Sequence, residues 1–135
     1  HTWKMHKFLG GGMKNFRYYC HVAAKKFNKE NDYICNMHPH NYYLEILTET
    51  GILGFFIFSS IILIILYKAL KKNYFFNYKL NDKLIISPFL FLFIAEIFPI
   101  KSSGSFFTTG NATYIFLIMG LLASLVSKQT IDNSN

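Results

Sequence analysis

The chain has 135 residues, a net charge of +7, 52% hydrophobic and 19% aromatic residues, and a mean hydropathy of +0.24. That is too apolar for an ordinary soluble domain, and the basic residues carry no nucleic-acid-binding motif, which leaves anionic lipid or diphosphate as the partner for the charge.

The first forty residues are the polar part. FLGGGMKNF reads as a loop, because consecutive glycines hold a helix poorly. Arg17–Phe27 has the composition of a short helix, and the Asn- and Asp-rich stretch after it reads as loop. Lys4, Lys7, Lys14, Arg17, Lys25, Lys26 and Lys29 make the segment basic. Cys20 and Cys35 admit two readings, a disulfide in an oxidising compartment or two free thiols. A zinc site lacks the C-x2-C spacing, and His38 and His40 lack an H-E-x-x-H context, so no metal is expected. His1, His6 and His21 read as surface residues.

The run MHPHNYYLEILTE then leads into an apolar stretch. Pro39 sets an extended approach and is expected to splay His38 from His40. His40 or Asn41 suits a helix N-cap, so the first long helix is expected near 41–67, with Glu45 and Glu49 one turn apart on one face. The positive end of that helix favours the neutral imidazole a general base needs, and either glutamate would steady it. The alternative is structural: the same residues cap a helix, and the acids are solvated. There is no Gly-x-Ser-x-Gly elbow for nucleophilic catalysis.

Three apolar blocks follow, Gly51–Tyr67, Leu84–Ile100 and Phe106–Val126. Each is near the roughly 20 residues that cross a hydrocarbon core about 30 Å thick. IFSSIILIILY has no polar stripe at a helical period, so a soluble amphipathic helix is excluded. The expected fold class is therefore all-α, a polytopic membrane protein fragment with three transmembrane helices (41–67, 84–100, 106–127). A periplasmic loop with a short helix, 1–40, precedes them. The loop 68–83, with Lys68, Lys71, Lys72, Lys79 and Lys83 against Asp82, should be cytoplasmic by the positive-inside rule, as should the tail 128–135. Residues 101–110 and the first forty then lie outside. Glu96 stands near the outer end of the second span. It either contributes to a polar site or bonds a neighbouring helix. SSGSFFTTGN reads as a hydroxyl-rich turn that either binds sugar or phosphate or satisfies its own backbone. With no initiator Met and no signal-peptide pattern, the chain is expected to be the C-terminal part of a longer protein, inactive alone.

HPHNYYLEILTETGILG, with FLGGGMKNF before it and SSGSFFTTGNATYIFLIMG after it, resembles the C-terminal region of the O-antigen ligase/polymerase family of bacterial membrane glycosyltransferases. Gly10, Gly12 and Phe16 match that family's G-x-G-x-x-x-F segment. His40, Asn41, Leu44, Gly51 and Gly54 match its H-N-x-x-L-x-x-x-x-x-x-G-x-x-G motif. The resemblance implies transfer of a glycan from undecaprenyl diphosphate to an acceptor hydroxyl, on lipid A–core or a growing repeat-unit chain, at the periplasmic face of the inner membrane. It implies no cofactor and no nucleotide sugar. His40 is implied as the base, with Asn41, Glu45 and Glu49 supporting it, and Arg17 and Lys14 as the candidates to meet the diphosphate. Two other classes stay open: a non-enzymatic binding or transport component for polysaccharide-lipid diphosphates, and a structural membrane subunit.

Overall fold

The computed structural model describes residues 2–27, 35–71 and 80–132, with the side chains of 83–127 in the last segment. Lys29, Lys72, Lys79, the side chain of Asp82, the middle of the expected cytoplasmic loop (72–79) and the end of the tail (133–135) lie outside it. The described chain is all-helical. A 3-10 turn at Thr2–Met5 is followed by α1 (Phe16–Lys26), α2 (Tyr42–Leu70), α3 (Leu80–Glu96) and α4 (Thr109–Asp132). It divides into two units, 1–59 with 99–111, and 60–98 with 112–135.

In the first unit α1 falls where the sequence placed a short helix. It buries Cys20, Ala23 and Ala24, the i, i+3, i+4 spacing of one helix face. Cys20 is disulfide-bonded to Cys35, which settles the two cysteine readings and ties α1 to the segment entering α2. The start of α2 also agrees with the sequence, and Asn41 is its cap. Its Oδ1 accepts the Tyr43 and Leu44 N–H groups at 3.0 and 3.2 Å. A side-chain oxygen in that position satisfies donors that the helix cannot.

The apolar run hides a break. Gly51 has φ 72° and ψ −172°, a conformation essentially reserved for glycine, and α2 changes course there. The backbone groups freed by the break pair with the Gly-rich loop. Gly11 N–H donates to the Thr48 carbonyl (3.0 Å) and Gly12 N–H to the Glu49 carbonyl (2.9 Å). In return the Ile52 and Leu53 N–H groups donate to the Lys7 and Phe8 carbonyls (2.9 and 3.3 Å). The approach is close enough that a Cβ on Gly10 would strike the Glu49 carbonyl, and one on Gly51 the Phe8 carbonyl. The Thr48 and Thr50 hydroxyls bond back to the Leu44, Glu45 and Ile46 carbonyls in the turns before the break, an arrangement that itself bends helices.

Residues 99–111 close this unit against the start of α2. The Asn41 side-chain amide donates to the Pro99 carbonyl (2.6 Å), and Ser103 N–H to the His40 carbonyl (3.0 Å). The Phe106 ring packs edge-on against Tyr42 and Phe58.

In the second unit α3 buries Ile86, Leu90 and Phe93, Ile97 is buried just past its end, and α4 buries Ile115, Ile118, Met119, Leu122 and Val126. Their other faces are just as apolar, with Leu84, Ile85, Phe91, Phe116 and Leu117 exposed, as are Leu63 and Ile64 on the second half of α2. Helices that are hydrophobic all round are suited to lipid, not water. Two helices are long and apolar enough to cross a membrane among the described residues, Tyr42–Leu70 and Thr109–Ser127. The second expected span differs from its forecast. It runs Leu80–Glu96, not 84–100, and is 17 residues long, about 25 Å at 1.5 Å per residue. Glu96 is its last helical residue, and the chain leaves the helix ahead of Pro99, as proline disfavours a helical residue before it. Pro88 lies within α3 and has no N–H to offer the preceding turn.

Candidate functional site

The motif residues, with Lys14, Arg17, Glu45 and Glu49, fall in the first unit, whereas Glu96 falls in the second. The loop Gly10–Asn15, the start of α1, the HPHN segment and the first turns of α2 meet there with residues 103–108. Between them lies a cleft of about 280 Å³ lined by Lys14, Arg17, Met37, His38, Glu45, Glu49, Ser105 and Thr108. This is slightly below the roughly 300–1,000 Å³ of small-molecule sites.

The two glutamates sit one turn apart on the buried face of α2, at 1% and 3% exposure. Each is bonded to a chain segment. Glu45 Oε1 accepts the Ser105 hydroxyl (2.5 Å) and its Oε2 the Phe106 N–H (2.6 Å). Glu49 Oε2 accepts the Lys14 N–H (2.6 Å). These are charge-assisted bonds, the stronger class. The carboxylates therefore pin the loops that bear Lys14 and Ser105, and neither one is bonded to His40. Lys14 itself has φ 60°, uncommon for a residue with a side chain. The conformation aims its N–H at Glu49.

Lys14 and Arg17 are exposed at the mouth of the cleft, and among the described residues neither side chain forms an ion pair. The cleft thus grades from cationic at its rim to carboxylate-bearing at its floor. Ser105 and Thr108 add hydroxyls, and Thr108 Oγ1 donates to the Ser105 carbonyl (3.0 Å). Among the described residues no group of three or more His, Cys, Asp or Glu is placed to hold a metal ion.

Pro39 does not splay the histidines. The His38 and His40 rings meet edge-on with centroids 4.7 Å apart. In an extended segment residues i and i+2 project to the same side, so the extended approach that Pro39 enforces brings the rings together. His38 lines the cleft, with its Nε2 shielded from solvent and without a hydrogen bond. His40 stands beside the cleft, exposed. Sequence reasoning chose His40 over His38 and marked Ser105 and Thr108 only as part of a hydroxyl-rich turn. The hydroxyl-rich SSGSFFTTGN was the signal for the last two.

Gly10, Gly12 and Gly51 work on the backbone, as the paired loop and helix break described above. At Gly54 a Cβ would meet the Thr50 side chain. Phe16 is the first residue of α1.

Compared with known proteins, residues 1–59 match the family model described as O-antigen ligase. The matched stretch is the part of the first unit that carries the loop, α1, HPHN and the break in α2. No curated protein and no solved structure gives a significant match.

Proposed function

We propose that this chain, whose residues 1–59 match the O-antigen ligase family model, belongs to that family and takes part in moving a glycan from undecaprenyl diphosphate to an acceptor hydroxyl. The observation that carries the reading is the cleft. It sets the ammonium of Lys14 and the guanidinium of Arg17 beside the HPHN segment, and all of these lie in the matched residues 1–59. Unpaired cations at an open rim suit a diphosphate, and the planar fork of arginine suits its oxygens in particular.

In this mechanism His40, exposed and next to the cleft, removes the acceptor hydroxyl proton. The acceptor oxygen forms a bond to the anomeric carbon of the donor glycan. The bond from that carbon to the diphosphate oxygen breaks, and its electron pair leaves with the diphosphate. Lys14 and Arg17 offset the charge that develops there, which is the form of stabilisation that lowers such barriers most. Asn41 holds the start of α2, and Glu45 and Glu49 fix the loops around the reacting groups. The diphosphate is already a good leaving group, so the chemistry needs no nucleotide sugar.

The site lies at the outer face of the inner membrane, with α2, α3 and α4 as three spans and the segment after α2 facing the cytoplasm. The Cys20–Cys35 bridge supports an oxidising, periplasmic setting for the loop. In the full-length enzyme His40→Ala is expected to abolish glycan transfer while the protein stays in the membrane. Retained transfer by that variant removes His40 from the chemistry. Supplying lipid A–core or a repeat-unit glycan as acceptor then separates ligation from polymerisation.

A further inference from the structure

Three buried side-chain atoms in the described chain lack a hydrogen bond: Ser59 Oγ, Ser103 Oγ and His38 Nε2. The two hydroxyls lie outside the cleft lining. His38 lies within it, and an imidazole nitrogen has a fixed direction in which to find a partner. Buried polar atoms without partners are rare in folded chains. One that lines a cleft points to a ligand atom.

The surroundings select the kind of atom. Lys14 and Arg17 are at the exposed mouth, whereas Glu45 and Glu49 are buried beneath, with Ser105 bonded to Glu45. An anionic oxygen is favoured at the mouth and disfavoured beside the two carboxylates. A sugar hydroxyl, neutral and able both to donate and to accept, suits the floor. In a sugar diphosphate the two groups are covalent neighbours, as the cationic mouth and the polar floor are neighbours in one cleft of about 280 Å³.

We propose that the floor of this cleft is a subsite for the sugar attached directly to the donor diphosphate, and that His38 Nε2 hydrogen-bonds one of its hydroxyls. His38 is then a specificity residue for the donor, with a role separate from that of His40. This inference rests on the glycan-transfer reading above and adds the sugar contact to it.

The test uses the full-length enzyme in detergent micelles with two probes, the lipid-linked glycan and undecaprenyl diphosphate without a sugar. His38→Ala is expected to weaken binding of the glycan-bearing lipid about threefold to tenfold, the worth of one hydrogen bond between neutral groups. Binding of the sugar-free lipid should be unchanged. His38→Gln, whose amide can still bond a hydroxyl, should recover part of the loss. An equal loss for both lipids places His38 on the diphosphate and overturns the proposal, as does no loss for either. His40→Ala should bind both lipids normally and fail only in turnover. If wild type binds neither lipid, the glycan-transfer reading itself fails, a result distinct from failure of the His38 contact. Matching melting temperatures for the variants and wild type exclude a folding defect.

Discussion

Replacing Gly51 with alanine sets two structures of α2 against each other. If the bend is kept, a side chain must adopt φ 72°, ψ −172°, at about 1–3 kcal/mol, and its Cβ must also be accommodated against the Phe8 carbonyl. If the helix straightens, the four backbone bonds between the Gly-rich loop and α2 are lost. Two are regained inside the helix, from Ile52 N–H to the Thr48 carbonyl and from Leu53 N–H to the Glu49 carbonyl. The net loss of two bonds costs about 1–3 kcal/mol at about 0.5–1.5 each. Exchanging glycine for alanine within a helix returns about 1 kcal/mol. The straight form thus costs about 0–2 kcal/mol and the bent form more, so Gly51→Ala should straighten α2 and release the loop. In the full-length protein the Gly11 and Gly12 amides should lose protection from hydrogen exchange, and trypsin should cut after Lys14. Transfer activity should fall, because Lys14 leaves the cleft with the loop. Wild-type protection of those two amides in the variant would falsify this account of the break.

Glu45→Ala removes the carboxylate that accepts the part-buried Ser105 hydroxyl and the buried Phe106 N–H, at about 1–3 kcal/mol for each bond lost. Glu45→Gln should cost less than half of that loss, since its oxygen can take the Phe106 N–H and the Ser105 hydroxyl can turn to accept its amide. Equal melting temperatures for the two variants would remove Glu45 from its bracing role. The Cys20→Ser, Cys35→Ser double variant should lose about 3 kcal/mol, from a loop of 15 residues' separation. Adding reductant to the wild type should reproduce that loss, and a melting temperature insensitive to reductant refutes it.

Local chemistry was legible from the sequence. Asn41 followed by good helix formers marked the start of α2, the composition of Arg17–Phe27 marked α1, and uninterrupted apolar runs marked α2 and α4. What stayed hidden was non-local. Gly51 opens the apolar block as a lone glycine, a weak local signal, and the break it makes is held by a loop some forty residues earlier. Glu45 and Glu49 looked like companions for a histidine, yet their partners, Ser105, Phe106 and Lys14, are distant in sequence. The pairing of His38 with His40 followed from the i, i+2 geometry of an extended segment, which a focus on proline alone overlooked. At α3, Glu96 and the nearby Pro99 ended the helix ahead of the apolar run's own end.

The reciprocal docking of residues 7–12 on residues 48–53 also sets an order of events during synthesis. The Gly-rich loop is made first, and the Thr48 and Glu49 carbonyls that accept its amides do not yet exist. Until α2 has been made and has bent at Gly51, the loop's amides have only water or transient partners. The cleft therefore matures after its first wall has left the ribosome, and a chain truncated before Thr48 lacks all four of these backbone bonds.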